Sequence, residues 1–245
     1  MKSTSYQNLL GWQRSALDLT FVKSFPEPHR NRLLNLIELS HGQLRQDLFV
    51  LTQLKFKREG FFVEFGATDG ISLSNSYLLE KEFSWNGILA EPAKLWHKKL
   101  FENREASIST KCVWSKSGES VVFKETSIPE LSRIEKFGVE DDLKHLRKKG
   151  FVYLVETISL EDLLVQHNAP LFIDYLSIDT EGSELEILEA FNFKKYRFGV
   201  ITCEHNYSEN QQKIRDLLES HGYRLVYQEL SEFDGWYISD EKNLN

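Results

Sequence analysis

The sequence predicts an α/β fold built on a mostly parallel sheet, and two observations support this. From Gly60 onwards, short apolar segments alternate with segments of helical period, which is the pattern of βαβ units. Near the end, residues 223–227 and 236–238 form two further strands. The connection between them is short and contains Asp234-Gly235, so the two strands are expected to pair antiparallel.

The composition narrows the class of protein. The chain has 245 residues, 41% hydrophobic and 27% charged, which excludes disordered, collagen-like and low-complexity proteins. A net charge of −7 argues against a broad surface for nucleic acid or anionic membranes, so no nucleic-acid partner is expected. Two distant cysteines, Cys112 and Cys203, make no disulfide scaffold. The sequence also has no apolar run of membrane length and no signal peptide. We therefore expect a cytoplasmic protein.

The first 58 residues are predicted to be a helical extension, and residues 59–245 the main domain. Leucines and Ile37 give residues 33–39 a broad apolar face, and residues 43–54 repeat the pattern. Pro26 and Pro28 interrupt the helical stretch.

Each element of the main domain has its own signal in the sequence. Strands are predicted where apolar runs precede glycines, acids or turns, at residues 61–65, 87–90, 107–114, 120–124, 151–158, 175–178 and 200–203. Helices are predicted over residues 73–81 and 93–102 and after three capping boxes, which begin at Ser159, Ser183 and Ser208.

Residues 127–150 form a charged insert that contains Pro129 and Gly138. A connection this long inside a compact domain is often a lid or a specificity insert, and a solvated helix is an equally good interpretation.

The first motif with chemical content is VEFGATDG, residues 63–70. Glu64 lies near the carboxyl end of a strand, and Gly66 and Gly70 bracket the turn that follows, at the edge where open parallel sheets bind ligands. Thr68 replaces the middle glycine of a dinucleotide motif, and an acid at Glu64 would repel a pyrophosphate. A ligand with a positive amino group suits Glu64 and Asp69 better, which favours S-adenosylmethionine over NAD.

Glu91 ends the next strand. A carboxylate at this position accepts hydrogen bonds from both ribose hydroxyls of an adenosine cofactor. The same residue is also a plausible cap for the helix that begins after Pro92.

Two later strands also end in ionisable residues. Asp179 and Glu181 follow the strand at 175–178, and Glu204, His205 and Asn206 follow the strand at 200–203. Acids brought together need a metal, a proton or hydrogen-bond donors, although Glu181 also suits a helix N-terminus. A neutral histidine accepts a proton from a hydroxyl, so His205 is a candidate base expected to share one crevice with Asp179.

Two long segments resemble the FkbM-type S-adenosylmethionine-dependent methyltransferases. They are GFFVEFGATDGISLSNSYLLEKEFSWNGILAEP, residues 60–92, and DYLSIDTEGSELEILEAFNFKKYRFGVITCEHNY, residues 174–207. SHGQLRQDLFVL at residues 40–51 resembles the lead-in of that family, and FDGWY at residues 233–237 resembles its tail.

The resemblance implies a class I methyltransferase (Rossmann-like) sheet with a final antiparallel strand. It also implies O-methylation of a sugar, polysaccharide precursor or secondary metabolite. By position, the methionine part of the cofactor would be surrounded by Glu64, Gly66, Thr68, Asp69, Gly70 and Asn75. Glu91 would hold the ribose, and Val113, Trp114 and Ser115 would lie near the adenine. The residues facing the methyl group would be Asp179, Glu181 and His205.

Several alternatives stay open at this point. The acceptor proton is taken either by His205 or through Mg²⁺ held by Asp179, Glu204 and Asn206, with oxygen ligands of the kind that Mg²⁺ prefers. The rival functions are a non-catalytic module that binds S-adenosylmethionine and, with less support, an NAD-dependent oxidoreductase.

Overall fold

The computed structural model describes residues 14–126, 132–134 and 150–240. The chain divides into two compact units, Met1–Ser40 and His41–Asn245. The predicted boundary lay at residue 58 instead. The difference arises because the helix at Gln46–Gln53 belongs to the larger unit, where the Phe49 ring stacks on Trp236 with 4.5 Å between centroids.

The smaller unit contains a helix described over residues 14–24 (α1) and a second helix, α2 (Glu27–Leu36). Pro26 is the N-cap of α2, which agrees with the interruption predicted there. Arg30 ties the two helices together, because its guanidinium donates to the carbonyl oxygens of Lys23 and Phe25 at 3.0 and 2.8 Å.

The larger unit contains seven helices and eleven strands within the described residues. The helices are α3 (Gln46–Gln53), α4 (Tyr77–Phe83), α5 (Lys94–Asn103), α6 (Leu160–Gln166), α7 (Glu184–Glu189), α8 (Asn210–Ser220) and α9 (Gln228–Ser231). The strands are β1 (Phe61–Phe65), β2 (Asn86–Ala90), β3 (Ser107–Ser109), β4 (Cys112–Trp114), β5 (Ser120–Thr126), β6 (Arg133–Ile134), β7 (Gly150–Ser159), β8 (Phe172–Ile178), β9 (Arg197–Glu204), β10 (Tyr223–Val226) and β11 (Asp234–Ser239).

The main sheet has seven strands in the order β10-β11-β9-β8-β1-β2-β3. The final strand, β11, runs antiparallel to both of its neighbours, and every other pairing in the sheet is parallel. This is the class I methyltransferase sheet, and it confirms the predicted fold class. The strand order reverses between β1 and β8, so a ligand crevice is expected beyond their carboxyl ends.

A second sheet of four strands, ordered β4-β7-β5-β6, lies outside the prediction. The single strand predicted at 107–114 is two strands: β3 pairs with β2, and β4 pairs with β7 in the second sheet. The polar residues between β3 and β4 allow the chain to change sheets there. Sequence periodicity indicates that a segment is extended but not which partner it takes.

Other boundaries differ from the prediction for local reasons. The helix predicted over 73–81 begins only after Ser76, because residues 66–76 form a long ordered turn. Asp234 and Gly235 lie inside β11 rather than in a connection. The predicted insert at 127–150 falls largely outside the described residues.

The three predicted capping boxes had different outcomes. The Ser159 hydroxyl accepts a hydrogen bond from the Asp162 amide at 3.1 Å, so the cap of α6 is confirmed. Ser183 is the N-cap of α7, so the predicted start of that helix is confirmed, although its side chain makes no capping bond. The N-cap of α8 is Glu209, one residue after the predicted Ser208, and it also lacks a capping bond.

Ser159→Ala should therefore lower the free energy of unfolding by about 1 kcal/mol. Ser208→Ala is the control, because this serine lies just before α8 and caps no helix, and its effect should be smaller. Urea unfolding of both variants measures the difference. Equal losses would show that the Ser159 cap contributes nothing.

No helix in the described part of the chain is both long enough and apolar enough to cross a membrane.

Candidate functional site

A cleft lies beyond the carboxyl ends of β1, β2, β8 and β9. It encloses about 1030 Å³ of space including its mouth, at the upper end of what small-molecule sites occupy. Nine of the predicted site residues line it: Glu64, Gly66, Thr68, Asn75, Glu91, Val113, Asp179, Glu181 and Glu204. Six do not: Asp69, Gly70, Trp114, Ser115, His205 and Asn206.

Glu64 at the end of β1 is buried and fixes the turn that follows. Its carboxylate accepts hydrogen bonds from the Asn75 amide at 2.7 Å, from the Ser74 hydroxyl at 3.0 Å and from the Ser76 hydroxyl. Burial raises the pKa of Glu64, while the nearby Arg104 guanidinium and these donors oppose the rise. The protein itself fills three of its roughly four acceptor positions, so Glu64 mainly shapes the cleft wall.

Gly66 allows two strand ends to touch. Its backbone has φ of +73°, and a Cβ atom there would lie 2.3 Å from the carbonyl oxygen of Asp179. Only glycine permits this approach, because a side chain would overlap the backbone of the residue after β8. The close approach explains the glycine that the sequence motif singled out.

Glu91, after β2, binds the turn that follows β1. One carboxylate oxygen accepts from the Thr68 amide at 2.8 Å and the other from the Ala93 amide at 2.7 Å. The N-cap of α5 is Ala93 and no side chain caps that helix, so the predicted cap at Glu91 is wrong. Each Glu91 oxygen keeps a further acceptor position, so a role in ligand binding is compatible with its two contacts. Burial raises the pKa of Glu91 to about 7.

Asp69 and Gly70 shape the turn away from the cleft. The Asp69 carboxylate accepts from the amides of Ile71 and Ser72, which is a local turn contact. Gly70 has φ of +82°, and a Cβ atom there would lie 2.6 Å from Cγ of Arg104. Neither residue is placed against the cleft as the resemblance implied.

The far end of the cleft is apolar. Val113 and Cys112 of β4 line it, together with Phe123 and Ile134 of the second sheet. Trp114 lies on the same face of β4 as Cys112 and is buried in a cluster with Phe123 and Ile134, without lining the cleft. Ser115, after β4, also lies off the cleft wall, so one of three predicted adenine neighbours is in place.

Three carboxylates meet at the opposite end. Oxygen atoms of Asp179, Glu181 and Glu204 lie within 4.8 Å of one another, a spacing at which all three could ligate one cation. Burial, followed by the charge of Glu184, raises the pKa of Asp179 to about 7. Burial and the charge of Asp179 raise the pKa of Glu204 well above its usual range, so this pair holds a proton near neutral pH.

The loop after β8 is wound tightly around Glu184. Its carboxylate accepts from the amides of Thr180 and Gly182, both at 3.0 Å. Glu181 between them adopts φ of +59°, an unfavourable conformation for a residue with a side chain, and it is buried. The loop thereby directs Glu181 into the acidic group.

Asp234 is a further acid in the cleft, next to Glu204, that the sequence did not reveal. It pairs with Glu204 across β11 and β9, so the two side chains share one face of the sheet. One of its oxygens, Oδ2, accepts from Gln46 at 3.2 Å and from the Trp236 indole at 3.1 Å. The only signal was the FDGWY tail, whose resemblance assigned no role to the aspartate.

His205 and Asn206 were predicted to face this group, and the structure places them elsewhere. His205 lies in a second depression, where Nδ1 accepts from the Tyr207 amide at 3.1 Å and Nε2 lies 3.2 Å from the Gln211 amide nitrogen. Because successive residues of a strand face opposite sides, Glu204 faces the cleft and His205 does not. Asn206 turns away with φ of +46°.

Known proteins resemble this chain in sequence and in fold. A family model described as the methyltransferase FkbM domain matches residues 64–225. No curated protein matches the sequence.

Solved structures that are similar to this chain include the following three. Precorrin-6y C5,15-methyltransferase from Geobacter metallireducens is 14% identical over 78% of this chain and 85% of that chain, with a TM-score of 0.42. Ribosomal protein L11 methylase from Lactobacillus delbrueckii subsp. bulgaricus is 8% identical over 80% and 78%, with a TM-score of 0.43. The N-terminal domain of human METTL16, solved with SAH, is 11% identical over 81% and 70%, with a TM-score of 0.43.

The family match begins at Glu64 and includes the ends of β1, β2, β8 and β9, the four strand ends around the cleft. The chain belongs to the FkbM methyltransferase family.

Proposed function

We propose that this methyltransferase transfers the methyl group of S-adenosylmethionine to a hydroxyl oxygen of a small molecule or glycan, such as a sugar, a polysaccharide precursor or a secondary metabolite. One observation supports this above the others. A single cleft has an adenosine-compatible end at Glu91 and Val113 and a proton-holding end at Asp179 and Glu204.

The first end suits the nucleoside. Apolar side chains of β4 and of the second sheet offer a surface for the adenine, and the free acceptor positions of Glu91 suit two ribose hydroxyls. The turn after β1 would then surround the methionine part. Six carboxylates line the described part of the cleft, and no described lysine, arginine or histidine lines it, which suits the positive sulfonium and amino groups.

The second end suits an oxygen acceptor. In the transfer, a lone pair of the acceptor oxygen forms a bond to the methyl carbon, and the carbon–sulfur bond breaks with its electron pair going to sulfur. The hydroxyl must also lose its proton, and a carboxylate pair with a pKa near 7 matches that task at neutral pH. This makes Asp179 with Glu204 a better candidate base than His205, whose two ring nitrogens are engaged in another depression.

Mg²⁺ is a second way to remove the same proton, by lowering the pKa of a bound hydroxyl. The residues that would hold it are Asp179, Glu181 and Glu204, with Glu181 instead of the Asn206 that the sequence suggested. Activity that is lost with a chelator and restored by Mg²⁺ would favour the metal. Activity that is unchanged by a chelator would favour the carboxylate pair.

The test of the function uses isotope-labelled S-adenosylmethionine with a panel of sugars, glycan precursors and hydroxylated metabolites, and mass spectrometry of the products. Label on an oxygen atom supports the proposal, and label on nitrogen or carbon contradicts it. Thermal shifts with S-adenosylhomocysteine and with NAD distinguish the oxidoreductase. Tight cofactor binding with no product across the panel would favour the non-catalytic module.

Glu91→Gln should reduce the affinity for S-adenosylhomocysteine and remove its pH dependence. In the wild type, the pKa of Glu91 is about 7 because the group is buried, with a smaller contribution from the charge of Glu125. The ionised form is the better acceptor for hydroxyls, so affinity should fall as the pH drops, by about tenfold near pH 6. Calorimetry between about pH 6 and pH 8 measures this.

Glu125→Gln is the control for that neighbour. This substitution should lower the pH at which the affinity for S-adenosylhomocysteine falls, and the affinity should still depend on pH. A wild-type affinity that is constant over this range would contradict the assignment of the ribose to Glu91.

A further inference from the structure

Arg104, the C-cap of α5, has a completely buried side chain although it does not line the cleft. A buried guanidinium is costly unless every donor is used and its charge is balanced. The contacts of Arg104 therefore indicate which part of the structure this residue stabilises.

The guanidinium makes four hydrogen bonds. It donates to Glu80 at 2.9 Å, to the Gly70 carbonyl at 3.0 Å, to the Ser74 hydroxyl at 3.1 Å and to the Ser76 hydroxyl at 2.8 Å. Three of the four acceptors belong to the turn at residues 66–76, and Glu80 lies just beyond it on α4.

The charge is balanced by two acids. Arg104 forms ion pairs with Glu80 at 2.9 Å and with Glu64 at 3.8 Å. The rings of Phe62 and Tyr77 lie 5.4 and 5.7 Å from its central carbon. The attraction of Arg104 lowers the pKa of Glu64, opposing the rise that burial causes, and so favours the carboxylate that holds the same turn.

The turn has no helix or strand of its own to fix it. Glu64 binds Ser74, Asn75 and Ser76 from one side, and Arg104 binds Gly70, Ser74 and Ser76 from the other. The aliphatic part of Arg104 also fills the space beneath Gly70, which is why no Cβ fits there. Cleft residues Gly66, Thr68, Leu73 and Asn75 all lie on this turn.

We infer that Arg104 is a positioning residue for cofactor binding, which it promotes by holding the turn at residues 66–76 in its binding conformation together with Glu64. The inference rests on the proposed binding of S-adenosylmethionine in the cleft. A lysine cannot replace Arg104, because one ammonium cannot reach the carbonyl, both hydroxyls and two acids from one position.

The test compares Arg104→Lys with Arg197→Lys. Arg197 is a matched control, since its guanidinium donates to the His221 carbonyl at 2.7 Å and lies 4.7 Å from the Tyr223 ring, at the end of β9 opposite the cleft. Both variants should lower the melting temperature. At a temperature where both are fully folded, Arg104→Lys should weaken binding of S-adenosylhomocysteine at least tenfold, and Arg197→Lys by less than about twofold.

Hydrogen exchange separates a local effect on the turn from a loss of global stability. In Arg104→Lys, exchange of amides in the peptide covering residues 66–76 should accelerate by a larger factor than exchange of the β8 and β9 amides, which follows the global free energy of unfolding. Ser76→Ala, a milder change that removes one shared hydroxyl, should show the same pattern with a smaller loss of affinity.

Normal affinity and normal exchange in folded Arg104→Lys would overturn the inference. Failure of the wild-type protein to bind S-adenosylhomocysteine would instead contradict the proposed function on which the inference rests. A uniform increase in exchange over the whole domain would assign Arg104 to general stability and overturn the positioning role.

Discussion

Asp179→Asn should lower the rate of methyl transfer by about 10²–10⁴-fold while leaving the affinity for S-adenosylhomocysteine within about threefold of the wild type. The amide keeps the shape of the side chain, but it does not accept the proton of an acceptor hydroxyl. Turnover with saturating cofactor and calorimetry with S-adenosylhomocysteine measure the two quantities separately.

Glu204→Gln should have a similar effect, because the two carboxylates hold the proton together. Asp162→Asn is the matched control: this aspartate lies at the start of α6, bonded to Ser117, and does not line the cleft. His205→Ala completes the series. If His205 were the base, His205→Ala would lose turnover and Asp179→Asn would keep normal turnover.

The folded state should tolerate the Asp179 change well. Removing one charge from a group of close, buried carboxylates relieves repulsion, so the melting temperature of Asp179→Asn without ligand should equal or exceed that of the wild type. A large drop in melting temperature would show that Asp179 is a structural residue. Full turnover in both Asp179→Asn and Glu204→Gln would contradict the proposed acid pair.

Gly66→Ala should be the most damaging single methyl addition in the cleft. The added Cβ lies 2.3 Å from the Asp179 carbonyl oxygen, and φ of +73° is unfavourable for alanine. Conformational cost and steric overlap together predict a loss of roughly 2–5 kcal/mol in the free energy of unfolding. Urea unfolding measures the loss, and cofactor affinity should fall because the β1 and β8 ends must separate.

Gly118→Ala isolates the conformational cost. Gly118 has φ of +76°, and a Cβ atom there would meet nothing within 4 Å. Its substitution should cost about 1–2 kcal/mol and leave cofactor affinity unchanged. If Gly66→Ala and Gly118→Ala lower the free energy of unfolding by the same amount, the close contact between Gly66 and Asp179 adds no cost of its own.

The sequence by itself determined most strands of the main sheet, their mostly parallel arrangement and the residues at their carboxyl ends. Short apolar runs that stop at Glu64, Glu91, Asp179 and Glu204 are local signals, and the parallel arrangement of strands brings such ends to one edge whatever their distance along the chain. The family resemblance then assigned a cofactor to that edge, and the match over residues 64–225 confirms the family.

Only the tertiary structure decided which side chains share the cleft. Asp234 lies next to Glu204 in the cleft because β11 pairs with β9. His205 lies outside the cleft because it follows Glu204 and faces the opposite side of the sheet. Arg104, at the end of α5, donates to the carbonyl oxygen of Gly70, which lies 34 residues earlier in the turn at residues 66–76. These relations depend on pairing, alternation and packing between distant segments, which a one-dimensional pattern of residues does not specify.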